Sequence, residues 1–210
     1  MNLGFKFDSQ LTCSSHISMV IGQSYRYISD ISRVRKFLNV NEIRTLVQAV
    51  IVSRIDNCNS LFYGIHESEL NRLQRLQNSC ARLIYGRKKF EHVSDLFLDL
   101  HWLPIKQRII FKILLFVLKI FLGTSPKYLE TCVTILDREN RTLLVSRVNT
   151  SYGDRAFTNA APRLWNALPS SLRNSESLTY FKAHLKHHLI SNFIEYASEV
   201  NKYKMFLNVT

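Results

Sequence analysis

The chain has 210 residues and a formal net charge of +12, from 28 Lys and Arg against 16 Asp and Glu, and 46% of its residues are hydrophobic. That apolar share excludes intrinsic disorder, and the length allows one domain or two small ones around a buried core. The positive surplus points to an anionic partner, nucleic acid ahead of an acidic membrane face, with a merely basic and well-solvated surface as the plain alternative.

The first ten residues carry neither the basic start nor the apolar run of a secretory signal, and alternation over Leu3 to Asp8 leaves room for one short strand. Ser14 or Ser15 is expected to cap an amphipathic helix through Ile17, Val20, Ile21, Ile28, Ile31, Val34 and Leu38. Asn41 is expected to cap a second, with Ile43, Leu46, Val47, Val50, Ile51 and Ile55 on one face and Gly64 as its stop. A third opens at Ser68 and closes at Gly86. At about 100° per residue its Leu73, Leu76, Cys80, Leu83 and Ile84 form one apolar arc, while Arg72, Arg75 and Arg82 form a second beside it. Arg87, Lys88 and Lys89 follow directly. No carboxylate lies between Asn71 and Phe90, so the local sequence leaves these six charges unneutralised.

Ser94 then caps a short helix, and Pro104 suits the first position of a long one that ends at Gly123, with Pro126 starting a further turn. The apolar run 109–122 is too short to span a bilayer and is broken by Lys112 and Lys119 on one face. Residues from about 137 to 151 read as a linker. In Tyr152–Pro169, a stretch as rich in polar side chains as many active sites, Phe157, Ala160, Ala161, Leu164, Trp165 and Leu168 form a core face. Arg155, Asn159, Pro162, Arg163 and Asn166 fall on the other side, Asp154 reads as an N-cap or first-turn acid, and Pro162 should kink or split the helix. Ser175 or Ser177 caps a last helix through Leu178, Phe181, Leu185, Leu189 and Phe193, and the tail beyond Glu199 reads as frayed. The expected fold is all-α, multi-helix and bundle-like, with at most the one short N-terminal strand.

Chemistry is hard to find in this pattern. Metal-dependent phosphoryl chemistry needs clustered carboxylates, and the closest pair, Glu67 and Glu69, point to different faces of a helix whose first turn favours acids anyway. Neither a P-loop nor a dinucleotide-binding glycine motif occurs. Cys80, His92 and His101 lack the tight spacing of structural zinc, and His184, His187 and His188 lack a third ligand at a suitable position, so no metal and no cofactor is expected. Cys13, Cys58, Cys80 and Cys132 are scattered without a C-x-x-C pair, which fits a reducing compartment, nuclear or cytoplasmic, and not secretion.

Four strings stand in order along the chain: S-R-I-D-N-C-N-S-L-F-Y-G, L-N-R-L-Q-R-L-Q-N-S-C-A-R-L-I, L-H-W-L-P-I-K-Q-R-I-I-F-K-I-L and Y-G-D-R-A-F-T-N-A-A-P-R-L-W-N-A-L-P. Together they resemble the C-terminal part of the reverse transcriptase protein of LINE-type, jockey-related non-LTR retrotransposons, over roughly residues 3 to 193. The resemblance implies a palm with paired catalytic Asp upstream of Met1 and an endonuclease further upstream. It implies the edge of the palm and primer grip at 1–12, thumb-like helices at 13–90, and a helical continuation at 91–136. The linker at 137–151, a C-terminal helical segment at 152–195 and a frayed tail at 196–210 complete that division. Some members carry a C-terminal zinc knuckle; the cysteine pattern for one is missing here.

The expected role is a catalytically incomplete fragment of an RNA-directed DNA polymerase that contacts RNA and RNA/DNA duplex through phosphates. No small-molecule substrate and no membrane partner are expected. The residues expected to make those contacts are Arg72, Arg75, Arg82, Arg87, Lys88 and Lys89, then Arg33, Arg35 and Lys36, then Lys106, Arg108 and Lys112. A structural or protein-interaction helical module is the alternative, and an enzyme in its own right lacks any clustered catalytic set.

Overall fold

A computed structural model describes residues 4–191. The expectations for residues 1–3, Phe193 and the tail lie outside them. The fold is mostly α-helical, and the chain divides into two compact units, 1–109 and 110–210.

In the first unit the expected strand is replaced by an irregular segment. Only Phe5 keeps a single bridge position; it is buried and stacks on His16 at 4.0 Å between ring centroids, so its side chain serves the core. Helix α1 (Ser14–Val34) starts from Cys13 in the left-handed conformation, φ +61°. Neither Ser14 nor Ser15 caps it. The Ser14 hydroxyl donates to Glu69 at 3.1 Å instead, and Asp8 ties down the preceding turn by accepting from the Thr12 N–H at 2.7 Å. After a 3₁₀ turn at Arg35–Phe37, α2 (Val40–Val47) is capped by Asn39, not Asn41. Asn39 and Glu42 satisfy each other's backbone N–H groups at 3.0 and 2.8 Å, a reciprocal pair that Asn41, with Arg44 three residues on, could not make.

The helix continues through a π-helical stretch, Gln48–Val52, into α3 (Ser53–Asp56), where Asn57 turns extended and Cys58 left-handed well short of Gly64. Helix α4 (Glu67–Tyr85) opens one residue earlier than expected, because the His66 ring accepts from the Ser68 N–H at 3.2 Å and takes the capping place. It closes at Gly86, φ +67°, as the sequence indicates. Its Leu73, Leu76, Cys80 and Ile84 are fully buried against α1 and α2. Contacts between Ser14 and Glu69, Ser18 and Arg72, and Arg35 and Leu83 advance together along both helices, so α1 and α4 run parallel.

Helix α5 (Ser94–Asp99) holds Ser94 within its first turn, with Val93 in the capping place. Helix α6 (Ile105–Phe121) begins just after Pro104, whose carbonyl accepts the first helical bond from Arg108 at 2.9 Å, so the proline precedes the helix instead of opening it. Side chains of α4 secure that start: Gln74 accepts from the Ile105 N–H and Gln77 donates to the Leu103 carbonyl, both at 2.9 Å. Among the described residues, no helix is long and apolar enough to cross a membrane.

The second unit takes the rest of α6, then α7 (Lys127–Glu130) with Pro126 at its cap as expected. The segment read as linker starts inside a hairpin of β1 (Ile135–Asp137) and β2 (Thr142–Leu143). Leu143 is buried, and Asn166 clamps its backbone on both sides, accepting at 3.0 Å and donating at 2.7 Å. The polar signature divides into α8 (Ser151–Arg155) and α9 (Phe157–Asn166), parted at Ala156 (ψ 143°) and not at Pro162. Thr150 caps α8, and Asp154 in its first turn pairs with Arg163 at 2.8 Å. Trp165 is buried, stacks on Phe121 and donates its indole N–H to the Arg141 carbonyl at 2.6 Å. Asn159 and Pro162, expected on the outer face, are buried as well. The Asn159 amide donates to the Gly153 carbonyl at 2.9 Å, so the fold-back of α8 covers this side of α9. A short α10 (Ser170–Arg173) and a helix over 178–191 complete the unit, the latter capped by Ser177 and burying Phe181, Leu185 and Leu189.

Candidate nucleic-acid interface

The parallel course of α1 and α4 brings their C-terminal ends together. Arg35, just past α1, donates its Nε–H to the Leu83 carbonyl at 3.0 Å and lays its guanidinium over Gly86. The runs 33–36 and 87–89, far apart in sequence, therefore meet at one end of the first unit. A helix C-terminus carries about half a negative charge and unsatisfied carbonyls, so cations are at home there. Arg35 does that work directly. Arg82 does something similar one step on, holding the Glu91 carbonyl with Nε and a terminal nitrogen at 3.0 and 2.8 Å.

Carboxylates reach the same region from just outside the 71–90 window. Arg87 bridges Glu91 at 3.3 Å and Asp95 at 3.1 Å, and Glu91 also accepts from the Lys88 N–H, whose hydrogen bond, with Arg87, holds its pKa below the usual value. Tyr85 donates to Asp99; burial first, and that bond second, raise its pKa. Arg33 makes a loose exposed pair with Asp30 at 3.8 Å, of a kind that contributes little. Lys36, Lys88 and Lys89 are exposed, and among the described residues no carboxylate pairs with them.

Other expected contacts are committed elsewhere. Arg72 pairs with Glu69 at 2.7 Å and donates to Ser18, near the N-terminal end of the α1–α4 seam. Arg75 is exposed on α4 without an ion pair among the described residues. Lys106 approaches Glu67 at 3.9 Å, at the opposite end of α4, about 28 Å away for a helix of this length. Arg108 grips both oxygens of Asp56 at 2.9 and 2.8 Å, donates to the Leu103 carbonyl and lies over the Trp102 ring; its side chain is only 13% exposed. Lys112 belongs to the second unit, exposed and near the Phe116 ring. Thus Arg82 to Lys89 of the first group meet Arg33 to Lys36, while Arg72, Arg75, Lys106 and Arg108 do not join them.

Two residues missed at first join this end. Phe37 and Phe90 are 76% and 89% exposed, and the ammonium groups of Lys36 and Lys89 stand 4.8 and 5.6 Å from their ring centres. The signal was in the sequence, since R-K-F at 35–37 and K-K-F at 88–90 repeat one basic-basic-aromatic pattern.

The chemistry of catalysis is sparse. Glu67 and Glu69 are each engaged by a cation, and among the described residues no group of three His, Cys, Asp or Glu is placed to hold a metal. Cys80 is fully buried and its thiol is pushed up to about 12 by that burial, against the pull of Arg108, so it is not a nucleophile at neutral pH. No family matches this chain, and no curated protein or solved structure gives a match.

Proposed function

We propose that the chain is the helical, catalytically incomplete C-terminal part of a LINE-type reverse transcriptase, binding template RNA and RNA/DNA duplex through phosphates. The observation that carries the reading is the meeting of Arg33–Lys36 with Arg87–Lys89 at the joined ends of α1 and α4. Such a surface binds any phosphate backbone and reads little sequence. Polymerase chemistry would come from an upstream domain of such a protein; this part would have no reaction of its own. Four scattered cysteines with no C-x-x-C pair favour a reducing compartment inside the cell, nucleus or cytoplasm.

A structural or protein-interaction module is the second reading. It is favoured by the internal partners of Arg72, Arg82, Arg87 and Arg108. Fluorescence anisotropy against an RNA/DNA hybrid at rising salt separates the two. Replacing Lys36, Lys88 and Lys89 together by Ala is expected to reduce the salt slope by roughly 2 to 3, at about 0.9 per lost duplex phosphate contact. An absence of hybrid binding at low salt, or a slope untouched by the triple change, sinks the phosphate-binding reading.

A further inference from the structure

We infer that the joined end of α1 and α4 is a stacking site for unpaired bases, and that its preferred ligand is single-stranded nucleic acid, RNA in the first instance. This rests on the phosphate-binding reading above and adds the strand state it selects. A phosphate surface for duplex needs cations alone. This one also presents two aromatic rings that the core does not use.

Single exposed apolar side chains are ordinary on a protein surface. Phe37 and Phe90 are more than that, because each is almost wholly in water, follows a pair of cations, and sits at the same end of one unit. Chain reach limits their separation. Phe37 is two residues from Arg35 and Phe90 four from Gly86, hence within about 7 and about 14 Å of two residues that touch each other. In each case an ammonium covers one face of the ring and leaves the other free. A base stacked on the free face would carry its phosphates past the lysine beside it. Stacking on aromatic rings over a basic track is how sequence-tolerant single-strand binding is built. The bases of a duplex are stacked on each other and offer a ring no free face.

The electrostatics permit it. The helix C-termini and the carboxylates Asp30, Glu91, Asp95 and Asp99 oppose an anion here. Arg35, Arg82 and Arg87 are largely spent in offsetting them. Lys36, Lys88 and Lys89 remain for phosphate, and they immediately flank the two rings.

The test uses the full chain, a labelled oligouridylate of about 12 nucleotides, an RNA/DNA hybrid of similar length, and an abasic strand with the same backbone. Phe37→Ala and Phe90→Ala are each expected to weaken oligouridylate binding by about fivefold to about a hundredfold, while Phe→Trp at either position keeps it. Hybrid and abasic-strand affinity are expected to stay within about twofold, since neither offers a base to stack. Both rings lie outside the core, so folding is not at issue, and circular dichroism of each variant checks it. If hybrid binds but the Phe→Ala variants hold oligouridylate as tightly as the parent, the stacking site is overturned and the phosphate reading stands. Equal losses on all three probes also overturn stacking. If no probe binds at low salt, both readings fall.

Discussion

Arg108 shows how a charge can be misread from its neighbours in sequence. In L-P-I-K-Q-R-I it looks like one of a basic group, yet its guanidinium is folded inward on Asp56, the Leu103 carbonyl and Trp102. Removing it leaves a partly buried carboxylate with no cation, a loss below that of fully buried pairs because Asp56 is 39% exposed. Arg108→Ala is expected to destabilise the chain by about 1–3 kcal/mol in urea, with Arg108→Lys recovering only part because a single ammonium cannot hold both Asp56 and the Leu103 carbonyl as the guanidinium does. RNA affinity of the folded variant is expected to be unchanged. His16 gives the pH counterpart. It is buried against Phe5 and its Nδ1 accepts from the Lys6 N–H at 3.3 Å, a bond only the neutral ring can make. Burial lowers its pKa below 6.5, so the unfolded chain takes up the proton first. Stability is therefore expected to be full above pH 6.5 and to fall as pH drops from there through the folded value; His16→Gln should flatten that slope in a series of urea melts.

At the level of elements, most of what was legible came from periodicity and punctuation. Gly86 ends α4, Pro126 starts α7, Ser177 starts the helix over 178–191, and the apolar arc of α4 is buried as a wheel predicts. The errors share a cause: several side chains near each end are competent to cap, and tertiary contacts choose among them. Ser14 is drawn away to Glu69, and Asn39 wins over Asn41 because Glu42 stands three residues on. Asn39→Ala is expected to cost about 1 kcal/mol by denaturant melt, and Asn41→Ala almost nothing. The hairpin at 135–143 escaped notice because two very short strands leave no alternation to count; what holds it is the Asn166 clamp from α9. The convergence of the two basic runs was equally illegible, since it depends on α1 and α4 running parallel, a fact of pairing and not of either helix alone. A window that stopped at Asn71 and Phe90 also hid Glu69, Glu91 and Asp95, the acids that neutralise Arg72 and Arg87.

For the molecule as a whole, the +12 surplus does not single out a site. Residues 1–109 hold 15 Lys and Arg against 9 Asp and Glu, leaving +6 there and +6 in 110–210. What distinguishes the α1–α4 end is local: cations left over after the internal pairs are made. Excess like charge destabilises the compact state, and salt screens it over a Debye length of about 10 Å at 0.1 M. Raising salt from about 0.02 to about 0.2 M is therefore expected to raise the melting temperature by a few degrees while it weakens RNA binding. The two responses should move in opposite directions in calorimetry and anisotropy on one preparation. The contact between Arg35 and Gly86 carries a consequence for descent. Gly86 has a positive φ, and any Cβ there would collide with the Arg35 guanidinium. A lineage that loses the arginine removes the collision but keeps the left-handed backbone that favours glycine, and one that gains a side chain at 86 must also move the arginine aside. Glycine at 86 is thus expected to persist among related sequences even where 35 varies, and a side chain at 86 only where the arginine is gone, a one-sided dependence that a sufficiently deep alignment would reveal without any structure in hand.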